Sequence, residues 1–261
     1  MPYLETSNAK LYYQIDDHTD AWTQPESVLF VHGFTENTEA WRAWVPHFSR
    51  RYRMIRIDQR GFGQSGPVAR DFPLTTDVIV GDLAAVIRQV AGGKAHVVGG
   101  KSGGIPVMML AVKHPELVMT ITASCSPVVP PQAAGWLEEM ERDGMRSWAH
   151  RTQRDRMGSQ MPEAGIAWWS DMMGATAIST AHAYLRWVGA IDIRQDIKRI
   201  KCPTLVIGTD TKRRGRAEFE RWQKTIPNSE LAIIPVDGYH AAGTAPDETA
   251  RVTLDFIARR G

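Results

Sequence analysis

The residues best suited to chemistry sit in a run of glycines. A strand over Ala95 to Val98 feeds Gly99-Gly100-Lys101-Ser102-Gly103-Gly104 and then a helix reaching Lys113. Gly100-Lys101-Ser102-Gly103-Gly104 fits G-x-S-x-G, a sharp strand-to-helix turn that presents a serine at its tip. Side chains at Gly100 or Gly104 would collide with the neighbouring strand and helix. The turn would put the Ser102 hydroxyl at the edge of the sheet, in position for nucleophilic attack. It would also aim the Gly103 N–H, at the positive end of the helix, towards a developing oxyanion. A glycine-rich loop in this place could instead cradle a phosphate. The earlier glycine of G-x-x-x-x-G-K-[ST] falls at Ala95, however, which disfavours nucleotide binding.

Two further motifs lie upstream. Val31-His32-Gly33-Phe34 follows a buried strand, and its loop can carry the Phe34 N–H to a second oxyanion position. Asp58-Gln59-Arg60-Gly61-Phe62-Gly63-Gln64-Ser65 follows the next strand. With HGF, D-x-R-G-x-G-x-S and G-x-S-x-G in that order, the chain resembles the α/β-hydrolase superfamily over nearly its whole length. The resemblance implies a serine hydrolase with Ser102 as nucleophile and Phe34 and Gly103 forming the oxyanion hole. It implies His240, in Val236-Asp237-Gly238-Tyr239-His240, as general base. It makes Asp210 the best candidate for the acid, although Thr211 holds the commoner place, with Asp237 a rival. The D-x-R-G loop is then structural. Lys101, before the serine, departs from the pattern, and its ammonium is expected to be paired.

These residues need a scaffold. Short apolar runs alternate with helical patterns, the mark of a mostly parallel sheet with helices on both faces. Strands are expected over Ser27 to Val31, Met54 to Ile57, Ala95 to Val98, Val118 to Ala123, Thr204 to Ile207 and Leu231 to Ile234. Helices are expected over Trp41 to Phe48, Val78 to Val90, Gly103 to Lys113 and Asp247 to Ala258. Between Pro127 and Arg194 the strands stop and the pattern turns helical. The core domain is therefore read as 1–126 and 195–261, with a helical lid insertion over 127–194. Five of the nine tryptophans and six of the eleven methionines fall in the insertion. Some of these pack the insertion down; Trp168, Trp169 and Met172 are the expected substrate-binding residues, because adjacent residues on a helix point different ways.

Composition narrows the function. Hydrophobic residues make up 43%, charged residues 23%, and the net charge is +2. Nothing there calls for nucleic acid or an anionic membrane. No apolar run is long enough to span a bilayer, and Met1-Pro2-Tyr3 does not open a signal peptide. Cys125 and Cys202 do not form a metal-like pair and read as buried thiols of a reducing, cytoplasmic setting. No metal or cofactor is expected. The oligomeric state stays open, a homo-oligomer included. The substrate implied is a small ester, lactone or thioester with an apolar part, cleaved through an acyl-enzyme. A carbon–carbon bond hydrolase of ring-cleavage diketones uses the same triad, and a non-turnover ligand sensor shares the fold. Dehalogenase and epoxide hydrolase chemistry would need Asp at position 102.

Overall fold

Runs such as Ser27-Val28-Leu29-Phe30-Val31, apolar at every position after the first, arise because both faces of their strand are covered. In the computed structural model, which describes residues 2–6 and 8–260, this run is the strand β3 (Ser27–Val31), buried throughout. The other strands are β1 (Tyr3–Glu5), β2 (Lys10–Asp16), β4 (Arg53–Ile57), β5 (Ala95–Gly100), β6 (Val118–Ser124), β7 (Thr204–Gly208) and β8 (Ser229–Ile233). They form one sheet in the order β1-β2-β4-β3-β5-β6-β7-β8. From β4 to β8 all neighbours run parallel; β2 and β1 add an antiparallel edge. All the expected strands form. The two additional edge strands are only partly buried and so lack a continuous apolar run.

Strand alternation sends successive side chains to opposite faces, and the core divides accordingly. Leu29, Val31, Ile55 and Val97 face α2 (Thr76–Gln89) and α3 (Gly104–Lys113), where Leu83, Ile87 and Met108 meet them. Val28, Phe30, Met54 and Val98 face the other side, towards Trp41, Trp44 and the C-terminal helix. Phe30 is enclosed by Trp41, Trp44 and Phe48, with ring centroids 5.2, 5.8 and 5.0 Å away. An aromatic so buried is worth about 3–5 kcal/mol against alanine. The expected helix over Trp41 to Phe48 is a 3-10 segment, Thr38–Trp44, followed by the one-turn α1 (Val45–Phe48), with Pro46 inside its first turn.

Between β6 and β7 lie four helices, α4 (Trp136–Asp143), α5 (Met145–Met157), α6 (Glu163–Gly174) and α7 (Ile178–Val188). After β7 come α8 (Arg216–Gln223), α9 (Ala241–Thr244) and α10 (Pro246–Arg260). Cys125 and Cys202 are free thiols, and burial pushes both pKa values up, that of Cys202 to about 11. Among the described residues no helix is long and apolar enough to cross a membrane.

Candidate active site

The parallel strands end at one edge of the sheet, and the loops there bring the motifs together. β5 runs into a 3-10 turn, Lys101–Gly103, and then α3. The apex of this turn is Lys101, held at φ +50°. A non-glycine residue in the left-handed region is the strained geometry of a nucleophile elbow. The φ of Lys101 fixes the register, and steric limits at the first glycine agree with it. A Cβ on Gly99 would fall 2.6 Å from the Gly104 Cα, and one on Gly103 would fall 2.2 Å from the His32 carbonyl oxygen. One on Gly100 would only touch the Trp41 ring, at 3.2 Å. The elbow is therefore Gly99-Gly100-Lys101-Ser102-Gly103. The expectation that Ser102 stands at the tip is corrected: the paired glycines allow the motif two registers, and packing selects the one with lysine at the apex.

Behind Lys101 lies a buried charge cluster. Its ammonium is ion-paired with Oε1 of Glu36, which also accepts a hydrogen bond from His240 Nε2 at 2.9 Å. Glu36 Oε2 accepts from the Gly33 N–H at 2.8 Å. The side chains of Glu36 and His240 are 1% and 3% exposed. Burial acts against ionisation of Glu36, but the Lys101 ammonium, with His240, holds its carboxyl far below the usual range. Burial pushes His240 below the ordinary imidazole value; the Lys101 charge adds to this and Glu36 opposes it. A neutral His240 facing an ionised carboxylate must carry its proton on Nε2.

The loop that supplies Glu36 is pinned from β4. The Gln59 N–H donates to His32 Nε2 at 3.0 Å, and the Gln59 amide donates to the His32 carbonyl at 2.6 Å. His32 Nδ1–H then donates to the Gly33 carbonyl at 2.7 Å. Burial keeps this imidazole neutral too. Asp58 accepts from the N–H groups of Thr38 and Gln64, and Arg60 pairs with Asp82. Both therefore hold loops in place.

Several expected roles move. Asp210 is exposed, and its Oδ1 accepts from the Arg216 N–H at 3.0 Å, at the start of α8. It makes no hydrogen bond to His240; Glu36 is the carboxylate on that imidazole. The β7 loop is turned back by Arg214, which donates to the Cys125 and Ser126 carbonyls at 2.7 and 2.9 Å. Asp237 accepts from the Ser159 N–H at 3.1 Å and so ties the histidine loop to the chain after α5. Gly103 packs beneath His32, and the residue following the apex, where the second oxyanion N–H belongs, is Ser102. The Phe34 N–H donates to Ser102 Oγ at 3.0 Å, as does the Tyr184 hydroxyl at 2.9 Å. Ser102 has no hydrogen bond to His240.

A cavity of about 670 Å³ opens over the elbow, bounded by Lys101, Ser102 and Tyr184 and roofed by Trp136, Arg156 and Met173. Trp168, Trp169 and Met172 do not line it. Trp169 packs edge-on against His240, with centroids 5.0 Å apart, and Trp168 packs against Trp169. A helix turns about 100° per residue, so α6 presents Met173 where Met172 was expected. Lys101 stands at the apex where Ser102 was expected, Glu36 lies on His240 where Asp210 was expected, and Tyr184 and Arg156 line the cavity where Trp168, Trp169 and Met172 were expected. The signal that could have found Glu36 is an acid two residues after HGF; Tyr184 and Arg156 carry no motif. Among the described residues no group of three or more His, Cys, Asp or Glu could hold a metal ion.

Comparisons with known proteins agree on the scaffold. Residues 26–156 match the family model described as the alpha/beta hydrolase fold. The chain is similar to 2-hydroxy-6-oxo-6-(2'-aminophenyl)hexa-2,4-dienoic acid hydrolase of Metapseudomonas resinovorans, 28% identical over 90% of this chain and 85% of the relative. It is similar to pimeloyl-[acyl-carrier protein] methyl ester esterase of Aeromonas hydrophila, 25% identical over 90% of this chain and 96% of the relative. In structure it is similar to the enol-lactonase of Burkholderia xenovorans LB400, with a TM-score of 0.89 and 18% identity over 98% of this chain and 100% of that one. These relatives are named as a hydrolase, an esterase and an enol-lactonase, and the fold and the family match together make this chain a member of the α/β-hydrolase fold family.

Proposed function

We propose that the chain is a hydrolase of a small dicarbonyl compound, cleaving a carbon–carbon bond with the Lys101 amine as nucleophile. The observation that carries this reading is Lys101 at the strained apex, facing the cavity, with Glu36 and His240 behind it. An apex lysine changes which substrates make sense. Acyl transfer to an amine gives an amide, which water cleaves too slowly to complete a turnover. Addition to a ketone gives an imine, which water reverses readily.

The steps balance. The Lys101 ammonium passes a proton to the Glu36–His240 pair, and the freed amine adds to a ketone carbon. The adduct loses one water and becomes an iminium, which draws electrons from the neighbouring carbon–carbon bond. Water attacks the second carbonyl, whose oxygen is held by backbone N–H groups such as that of Phe34. The carbon–carbon bond breaks, its electron pair moves to the enamine, and the enamine carbon takes back a proton. A further water hydrolyses the imine and restores Lys101. The net reaction consumes one water and releases an acid and a ketone. The insertion over 127–194 serves as a lid, since Trp136, Met173 and Tyr184 from its helices help enclose the cavity.

A second reading is ester, lactone or thioester hydrolysis through Ser102. It is favoured by one contact, the Phe34 N–H on Ser102 Oγ, and by the esterase among the relatives. It needs His240 to reach past Lys101. Borohydride reduction in the presence of a small 1,3-diketone separates the two. The first reading requires a reduced adduct on the Lys101 peptide by mass spectrometry, absent in Lys101→Met and present in Ser102→Ala. No adduct, together with loss of p-nitrophenyl ester hydrolysis in Ser102→Ala alone, establishes the second.

A further inference from the structure

Arg156 is a buried cation without an acid. It belongs to α5, its residue exposure is 2%, and it lines the cavity that Lys101 faces. Its guanidinium hydrogen-bonds the Thr152 hydroxyl and lies 4.7 Å from the Trp148 ring centroid and 5.7 Å from that of Trp136. No carboxylate among the described residues is within ion-pair range of it. The other cationic walls differ. Arg214 is paired with Glu218 and Arg194 with Asp192, while Lys198, Arg213 and Arg221 are exposed to solvent, so of these Arg156 is the buried one.

Charge in the site does not balance without a ligand. Lys101 and Glu36 cancel, and His240 and His32 are held neutral. Arg156 is left over. Burying an unpaired charge is costly, and a fold keeps one where an incoming partner completes it. The planar guanidinium, lying against two indoles that pack edge to face on each other, offers a fork suited to a carboxylate.

We infer that Arg156 is the anion anchor of this cavity, and that the substrate carries a carboxylate at the end remote from the carbonyl that meets Lys101. Val128, Leu185 and Val188 line the same cavity and suit the apolar chain between the two ends. The inference rests on the reading above only in taking this cavity as the substrate site.

The test uses binding, so that it does not depend on turnover. Hexanoate and hexanamide have the same shape and differ in charge, and neither is cleaved. Isothermal titration calorimetry on the wild-type protein should show hexanoate bound at least roughly tenfold more tightly. Arg156→Met should remove that preference by weakening hexanoate while leaving hexanamide unchanged. Arg156→Lys, which keeps the charge but not the fork, should retain part of it; it carries the test if circular dichroism shows Arg156→Met unfolded. Equal affinities in the wild type overturn the inference. So does a preference that survives Arg156→Met, or one lost only in Lys101→Met. Failure here leaves the Lys101 imine standing, and failure of borohydride trapping leaves the anchor standing.

Discussion

The loops after β3 and β7 each bring one acid to the same edge of the sheet, with opposite fates. Glu36, after β3, is buried and holds Lys101, His240 and the Gly33 N–H. Asp210, after β7, faces solvent and ties off the start of α8. The difference lies in what surrounds each loop. The β3 loop is clamped by Gln59 and His32 between two central strands, so its acid cannot turn outwards. The β7 loop is drawn back by Arg214, and its acid is free to solvate. An acid at the expected point in a chain is thus a different thing from an acid at the expected point in space.

The sharpest way to break this comparison is to neutralise each acid in turn. Glu36→Gln strands the Lys101 ammonium in a buried site and should cost about 3–5 kcal/mol, read as a lower midpoint in urea unfolding. If Glu36 also accepts the Lys101 proton, turnover should fall at least about 10²-fold. Lys101→Met combined with Glu36→Gln should recover most of the lost stability, because the pair is removed together. Asp210→Asn should change stability by no more than about 1 kcal/mol, as for a helix-end hydrogen bond, and leave turnover near the wild-type rate. A reversed ranking would return the role of triad acid to Asp210.

Acid titration sharpens the same contrast. The folded pKa values of His240 and His32 lie below the unfolded value of about 6.5. Between the folded and unfolded values the unfolded chain binds protons that the folded chain refuses. Stability should therefore fall as pH drops below about 6.5. Glu36 acts in the same direction lower down: its folded pKa is depressed, so its contribution is present above the unfolded value of about 4.3 and is lost as pH falls further. Melting temperature measured from pH 8 to 4 should decline first in the histidine window. A flat profile there would mean that these imidazoles take up protons in the fold.

The smallest expected effect concerns the roof of the cavity. Met173→Ala should raise KM by enlarging the site, while Met172→Ala, off the cavity, should leave KM unchanged. Equal effects would show that α6 presents a wider face than its contacts indicate.

The chain's own pattern was enough to determine the sheet, the helices on both faces and the three motif loops, because continuous apolar strands and glycine turns are local consequences of residue type. It was enough, too, to bring Phe34, the elbow and His240 to one edge of the sheet, since that follows from strand order. It did not determine which residue stands at the apex. Gly99-Gly100 and Gly103-Gly104 admit two registers, and only the folded backbone, with Lys101 at φ +50° and Gly99 pressed on the Gly104 backbone, makes Lys101, not Ser102, the strained residue. Nor did it determine which carboxylate meets the imidazole, because Glu36 and His240 are 204 positions apart and a side-chain direction is set by packing, not by spacing. Only the tertiary structure left Arg156 without an acid, since an unpaired charge is defined by everything around it.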